Sequence, residues 1–359
     1  MQIKIVILSE QESYTNRLCA YINERYRDSF QMIRATTKEN AIRLAQENRA
    51  DLFMMDDGGD VQPSELPKRC LFVLLTDKKG VSKIDDSYAV YMYQAVPAIC
   101  DDLKNIYAAG LDREKAELRS ISNGYKKIIT FIPGAGGVGT STAAAACATM
   151  LANKGQNVLY LNLEKNGMAD LYFKGQGGSD FGDVIYALAR DNGTVGVRID
   201  SAMRRNDHGV YYIPACRQVL DMADLNAGHL EEMFKAIEGI EKIDWVIVDM
   251  DFEFNEKVYQ QIMRSHATVV VTDGRKTSDV KTRRLLQGLQ VYADKQSKFP
   301  LNRICLLYNR VGSYSKERIR DMSFKIVGEI NRVSNAEVNE IVRWIAEQRY
   351  SVFLDVFRM

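Results

Sequence analysis

The sequence predicts an α/β protein of two doubly wound parallel-sheet domains in succession. Three observations carry this. Apolar runs of strand length alternate with amphipathic stretches along the chain. A glycine-rich segment, Phe131 to Thr142, stands between an apolar run and a helix of small residues. A polar stretch, Gly110 to Lys127, divides the pattern into a shorter first part and a longer second one. The boundaries expected are 1–110 for the first domain, 111–124 for a linker and 125–359 for the second.

In the first domain, strands are expected at Ile3 to Leu8, Phe30 to Ala35, Leu52 to Met55, Leu71 to Leu75 and Val90 to Tyr93. Helices are expected at Tyr14 to Tyr26, Glu39 to Glu47 and Pro97 to Ala108. Five strands with intervening helices imply a parallel sheet whose functional residues lie at the strand C-termini. The linker begins with a charged helical stretch, and Ser122-Asn123-Gly124 signals a turn.

The second domain opens on the glycine-rich segment. Strand Ile128 to Ile132 leads into Gly134-Ala-Gly-Gly-Val-Gly-Thr-Ser-Thr142, and a helix follows from Thr142 to Ala152. This is the context of a phosphate-binding loop, in which glycines let backbone N–H groups converge on phosphate oxygens at a helix N-terminus. The spacing Gly134, Gly139, Ser141 fits G-x-x-x-x-G-K-[ST] except that Thr140 stands where the lysine belongs. The missing charge-assisted hydrogen bond is worth roughly 1.5–3 kcal/mol, about ten- to a hundredfold in affinity. Hydrolysis should suffer more, because charge builds on the transferring phosphoryl group.

Downstream come strand Asn157 to Leu163, helix Asp180 to Ala189, strand Val210 to Pro214 and helix His229 to Gly239. Asp244-Trp-Val-Ile-Val-Asp249 has the Walker B form, a buried strand delivering the Asp249 carboxylate toward Mg²⁺. Strands Ala267 to Thr272, Ile304 to Tyr308 and Lys325 to Ile330 follow, then helix Glu337 to Gln348. Metal ligands on this reading are Ser141 and Asp249. Lys165 and Arg275 are the other cations near strand ends, and both read as surface charges.

Composition excludes several classes. The chain has 359 residues, 46% hydrophobic, with a net charge of +1 and no basic patch of the kind a nucleic-acid partner requires. Six scattered cysteines lack a C-x-x-C pair and read as free thiols in a reducing cytoplasm. No signal peptide and no transmembrane segment are expected. Val352, Phe353, Val356 and Phe357 recur at helical spacing near the C-terminus. Peripheral membrane contact through them is conceivable, but Asp355 interrupts the face, and docking on the protein's own core is the expectation.

Two resemblances follow from these motifs. Asp51-Leu-Phe-Met-Met-Asp56 resembles the receiver-domain strand that ends in a phospho-accepting aspartate, with Thr76 at the place of a switching hydroxyl. Ser9-Glu10 replaces the acidic pair of receivers and Gln94 their lysine, so Asp56 is expected to be inert in a degenerate receiver-like domain. Ala135-Gly-Gly-Val-Gly-Thr-Ser141 resembles the MinD/ParA deviant Walker loop, with both lysines gone, at Thr140 and at Ala135. That resemblance implies cofactors ATP and Mg²⁺ and a nucleotide site of Gly134, Ala135, Gly136, Gly137, Val138, Gly139, Thr140, Ser141 and Thr142. It further implies an adenine-reading Asn309 beside Arg310, and Glu164 in the water-orienting place of the family's second aspartate.

A receiver-like domain ahead of such an ATPase resembles the TadZ/CpaE family of pilus-assembly proteins. The resemblance implies a cytoplasmic, polar localisation and assembly factor for tight-adherence (Flp-type) pili. It also implies a homodimer and partners in the pilus or secretion machinery. Weak or absent hydrolysis is the expectation. A working MinD/ParA-like ATPase cycle and an atypical response regulator are the rival readings.

Overall fold

In the computed structural model the described residues are 2–48, 50–67, 70–85, 87–122, 126–190, 194–313, 315, 318–319, 322–334 and 336–359, with side chains 108, 111–122 and 350 left aside. The chain forms two compact units, Met1–Glu117 and Leu118–Met359.

The first unit contains β1 (Ile3–Leu8), α1 (Glu12–Arg25), β2 (Phe30–Ala35), α2 (Lys38–Glu47), β3 (Leu52–Asp56), β4 (Leu71–Thr76), β5 (Lys83–Ile84) and β6 (Ser87–Tyr91). Helix α3 (Val96–Ser122) follows them. The sheet order is β2-β1-β3-β4-β6-β5, parallel except for β5, which pairs antiparallel with β6. The expected alternation of strand and helix breaks down after β3. Only a short 3₁₀ turn, Pro63–Glu65, lies between β3 and β4, and β5 occupies the place of the next helix. Gly58, Gly59, Pro63 and Pro67 prevent a helix in the first interval, and the second is too short and polar to build one. Helix α3 runs far past Ala108, so residues 111–122 continue it. The turn signal at Asn123-Gly124 lies outside the described residues.

The second unit contains β7 (Lys127–Pro133), α4 (Thr140–Asn153), β8 (Val158–Asn162), α5 (Ala169–Tyr172), α6 (Phe181–Arg190), α7 (Val195–Ala202), β9 (Arg204–Arg205) and β10 (Tyr211–Tyr212). Then come α8 (Ala227–Glu238), β11 (Trp245–Asp249), α9 (Glu256–Arg264), β12 (Ala267–Thr272), α10 (Lys276–Lys295), β13 (Ile304–Val311), β14 (Lys325–Asn331), α11 (Val338–Gln348) and α12 (Tyr350–Phe357). The sheet order is β14-β13-β12-β7-β11-β8-β10-β9, parallel but for the short edge strand β9.

Each face of this sheet carries its own apolar layer. One layer packs α4, α11 and α12, the other α6 to α10. Helix α4 is buried from Thr140 to Leu151 except at Ser141, which explains its run of alanines: a helix covered on all sides needs small residues. Helix α10 has no counterpart among the sequence expectations. Its inward face begins with polar Ser278, Asp279 and Thr282 and continues with Leu285, Leu286 and Leu289, so the apolar period covers only its second half. The C-terminal apolar residues are inside. Phe353 is 0% exposed and stacks edge-on against Phe131 at 6.3 Å, and Phe357 lies 4.8 Å from the Trp245 ring. No helix among the described residues is long and apolar enough to cross a membrane.

Candidate functional site

The site lies where β7 ends and α4 begins. Gly134 N–H donates to Val271 O at 2.8 Å, and a Cβ at Gly134 would meet Thr282 Oγ1 at 2.4 Å. The loop is therefore seated tightly on β12 and α10. Gly137 and Gly139 take φ of +74° and +81°, the left-handed region that side chains disfavour. Above Gly136 and Gly137 the space is open. Ala135 and Val138 are buried beneath the loop, and Thr142 is buried in the first turn of α4.

Strand β13 braces the loop from outside. Asn309 Nδ2 donates to Val138 O and Gly139 O, both at 3.0 Å, and Arg310 Nη1 donates to Gly137 O at 2.8 Å. The resemblance implies an adenine-reading Asn309; here it is 2% exposed and its amide nitrogen holds the loop backbone. Thr140, at the lysine position, is 6% exposed, and its Oγ1 is buried with no hydrogen-bond partner.

A carboxylate cluster faces the start of α4. Asp249 ends β11, between β7 and β8, and is 0% exposed. Its Oδ2 accepts from Tyr160 OH at 2.7 Å and Asn162 Nδ2 at 3.2 Å. Its Oδ1 is buried without a hydrogen bond of ordinary geometry, although Ser141 and Glu164 both lie close enough to act on the carboxyl. Glu164 Oε1 accepts from Ser141 Oγ at 3.1 Å, and Oε2 accepts from Asn162 Nδ2 at 3.0 Å. Burial, then the neighbouring Glu164 carboxylate, push Asp249 well above the usual carboxylate range. Burial and Asp249 likewise push the Tyr160 phenol up.

The cluster's chemistry fits a hard divalent cation. Mg²⁺ takes oxygen ligands and is commonly held by one or two carboxylates with substrate phosphates and water. Ser141 Oγ, Asp249 Oδ1 and Glu164 are such donors, and a cation there would reverse the cost of the two adjacent carboxyls. No group of three or more His, Cys, Asp or Glu suited to a metal occurs among the described residues. A nucleotide-borne Mg²⁺ does not require one.

The cations considered from sequence are engaged elsewhere. Lys165 pairs with Glu253, and Arg275 Nε lies 3.4 Å from Asp273 Oδ2. Sequence reasoning missed Tyr160 and the loop contact of Arg310. Tyr160 had a signal: it lies two residues before Asn162 and so on the same face of β8.

In the first unit, Asp56 Oδ2 accepts from Glu10 N–H at 2.8 Å, and its Oδ1 is buried with no partner. Lys78 Nζ lies 3.5 Å from Asp57 Oδ2, a pair that sequence reasoning did not find. Gln94 Nε2 donates to Asp102 Oδ2 at 2.6 Å, and Thr76 Oγ1 accepts from Lys78 N–H at 3.2 Å.

Comparison with known proteins agrees with this division. The family model of the TadZ-like receiver domain matches residues 1–108. No curated protein matches the chain in sequence. Among solved structures, the chain is similar to a ParA family ATPase from Chlorobium tepidum TLS, at 18% identity and a TM-score of 0.51, over 66% of this chain and 97% of that one. It is also similar to the septum site-determining protein MinD complexed with Mg-ADP from Pyrococcus horikoshii OT3, at 18% identity and a TM-score of 0.50, over 65% and 94% of the two chains. The second unit thus has the MinD/ParA P-loop fold. A TadZ-like receiver domain followed by that fold is the arrangement of the TadZ/CpaE family, which this chain fits.

Proposed function

We propose that the second unit binds ATP with Mg²⁺ and that the protein is a localisation and assembly factor for tight-adherence pilus machinery at the cell pole. The observation that carries the nucleotide reading is the formed loop. Its glycines hold left-handed backbone, its outer face is braced by Asn309 and Arg310, and it opens beside a buried carboxyl whose Oδ1 has no hydrogen bond of ordinary geometry. The TadZ-like first domain supports the pilus reading.

On this reading the loop amides and the α4 N-terminus receive the phosphates. Ser141, Asp249 and Glu164 receive the Mg²⁺ that arrives with them. Asn309 Oδ1, the amide atom not given to the loop, would be the acceptor for an adenine amine. Glu164 already lies against Ser141, which suits it to the metal shell as much as to orienting water. With Thr140 and Ala135 in the two lysine positions, hydrolysis is slow or absent. ATP then works as a structural ligand, favouring a homodimeric form by differential affinity.

The test is isothermal titration of the full chain with ATP, with Mg²⁺ and with EDTA. The expected dissociation constant is micromolar to millimolar, roughly −8 to −4 kcal/mol, and weaker in EDTA. Absence of binding at millimolar ATP removes the proposal.

A further inference from the structure

We propose that Tyr160 is a positioning residue for the divalent cation of this site: with the Asn162 amide, its phenol takes up one carboxylate oxygen of Asp249 and leaves the other, Oδ1, for Mg²⁺. The inference rests on the nucleotide reading above and adds to it what holds the metal ligand in place.

The strand register brings the three residues together. Strands β8 and β11 run parallel with Asn162 opposite Asp249. Tyr160 lies two residues earlier on the same face of β8. Its hydroxyl donates to Asp249 Oδ2 at 2.7 Å and accepts from Asn162 Nδ2 at 3.3 Å. Asn162 Nδ2 also donates to that carboxylate oxygen, at 3.2 Å. The amide is oriented from behind. Glu164 N–H donates to Asn162 Oδ1 at 2.9 Å, and a Cβ at Gly167 would stand 2.1 Å from the same atom. The amide nitrogen therefore faces the carboxylates. The phenol is fixed as well: Tyr160 is 0% exposed, and the Phe173 and Tyr172 rings pack edge-on against it at 5.0 Å and 6.3 Å.

Two donors on one oxygen and none of ordinary geometry on the other leave the Asp249 carboxyl one direction in which to bind. Oδ1 is buried, and a carboxyl oxygen so placed is costly until a cation or donor meets it. A phenylalanine would fill the same apolar layer, and the hydrogen bonds of the Tyr160 hydroxyl go to this cluster. Groups behind a metal ligand fix its orientation, and their loss costs about ten- to a hundredfold in metal affinity. The demand is sharper for Mg²⁺, which needs near-octahedral geometry, than for Ca²⁺, which accepts irregular coordination.

The experiment compares Tyr160→Phe and Asn162→Ala with the parent in the full chain. Binding of ATP is measured by isothermal titration in Mg²⁺, in Ca²⁺ and in EDTA. Tyr160→Phe keeps the ring and removes only the hydroxyl; Asn162→Ala removes the second donor to Asp249 Oδ2. The expected result for Tyr160→Phe is a loss of about tenfold in Mg²⁺, a loss below about threefold in Ca²⁺ and unchanged affinity in EDTA. Unchanged affinity in Mg²⁺ would overturn the assignment. So would an equal loss with both metals, or an equal loss in all three conditions, which marks a purely structural role. A parent that binds ATP equally well in Mg²⁺ and in EDTA has no cation for Tyr160 to position, and this too overturns it. If Tyr160→Phe does not fold, Asn162→Ala decides by the same pattern: a loss confined to Mg²⁺ supports the assignment, and any other outcome overturns it. Failure of the parent to bind ATP in any of the three conditions strikes the nucleotide reading instead.

Discussion

At Thr140 a neutral hydroxyl occupies the place where a P-loop holds an ammonium, and no neighbour satisfies it. On the proposed reading, a lysine there would place an ammonium at the loop position that meets the β- and γ-phosphates in an ordinary P-loop. Thr140→Lys is therefore expected to tighten ATP by about 1–3 kcal/mol, measured by titration. Phosphate release should stay slow until Ala135→Lys is added, because both lysine positions are empty in the parent. A weaker affinity in Thr140→Lys would mean that another cation already fills that space. At this scale the site was partly legible. Gly134 to Ser141 and Asp249 announce themselves through local spacing, which sequence preserves. Tyr160 beneath Asp249 and Arg310 against Gly137 do not, because they meet only through the strand order. Asn309 reaches a carbonyl 171 residues away in the chain.

Among the elements, strands with continuous apolar runs were readable, whereas α9 was not read despite an apolar face that buries Val258 and Ile262. Strand β12 runs Ala267–Thr272, where the apolar run alone places it. Helix α10 opens on a polar buried face, where Thr282 donates to Thr272 at 3.2 Å, and its apolar period starts only at Leu285. The charged helical stretch expected at the start of the linker is the continuation of α3 through residues 111–122. Helix α12 was read as docking inward, and Phe353 stands in the layer over β7 that carries the loop. Its removal leaves a cavity under the site. Phe353→Ala is expected to destabilise the second unit by about 3–5 kcal/mol. Urea unfolding of the nucleotide-free chain measures this, and a change below about 1 kcal/mol would contradict the packing described.

For the molecule as a whole, two α/β units divide the chemistry unequally. The TadZ-like receiver domain keeps the aspartate at a strand end, but its neighbours have been replaced. Glu10 contributes a backbone N–H to Asp56, Gln94 turns to Asp102, and the nearby lysine, Lys78, pairs with Asp57. On the reading proposed above, Asp56 is not a phosphoryl acceptor and the first unit serves as a contact module. The second unit keeps the loop, the buried Asp249 and the seryl hydroxyl of a nucleotide site while lacking both lysines. The central claim is that ATP stays bound and intact. The direct measurement loads the full chain with Mg-ATP, incubates it over hours, and identifies the nucleotide released on denaturation. The account predicts ATP, with at most a minor fraction of ADP and little free phosphate. Conversion of most of the bound nucleotide to ADP within minutes would contradict it.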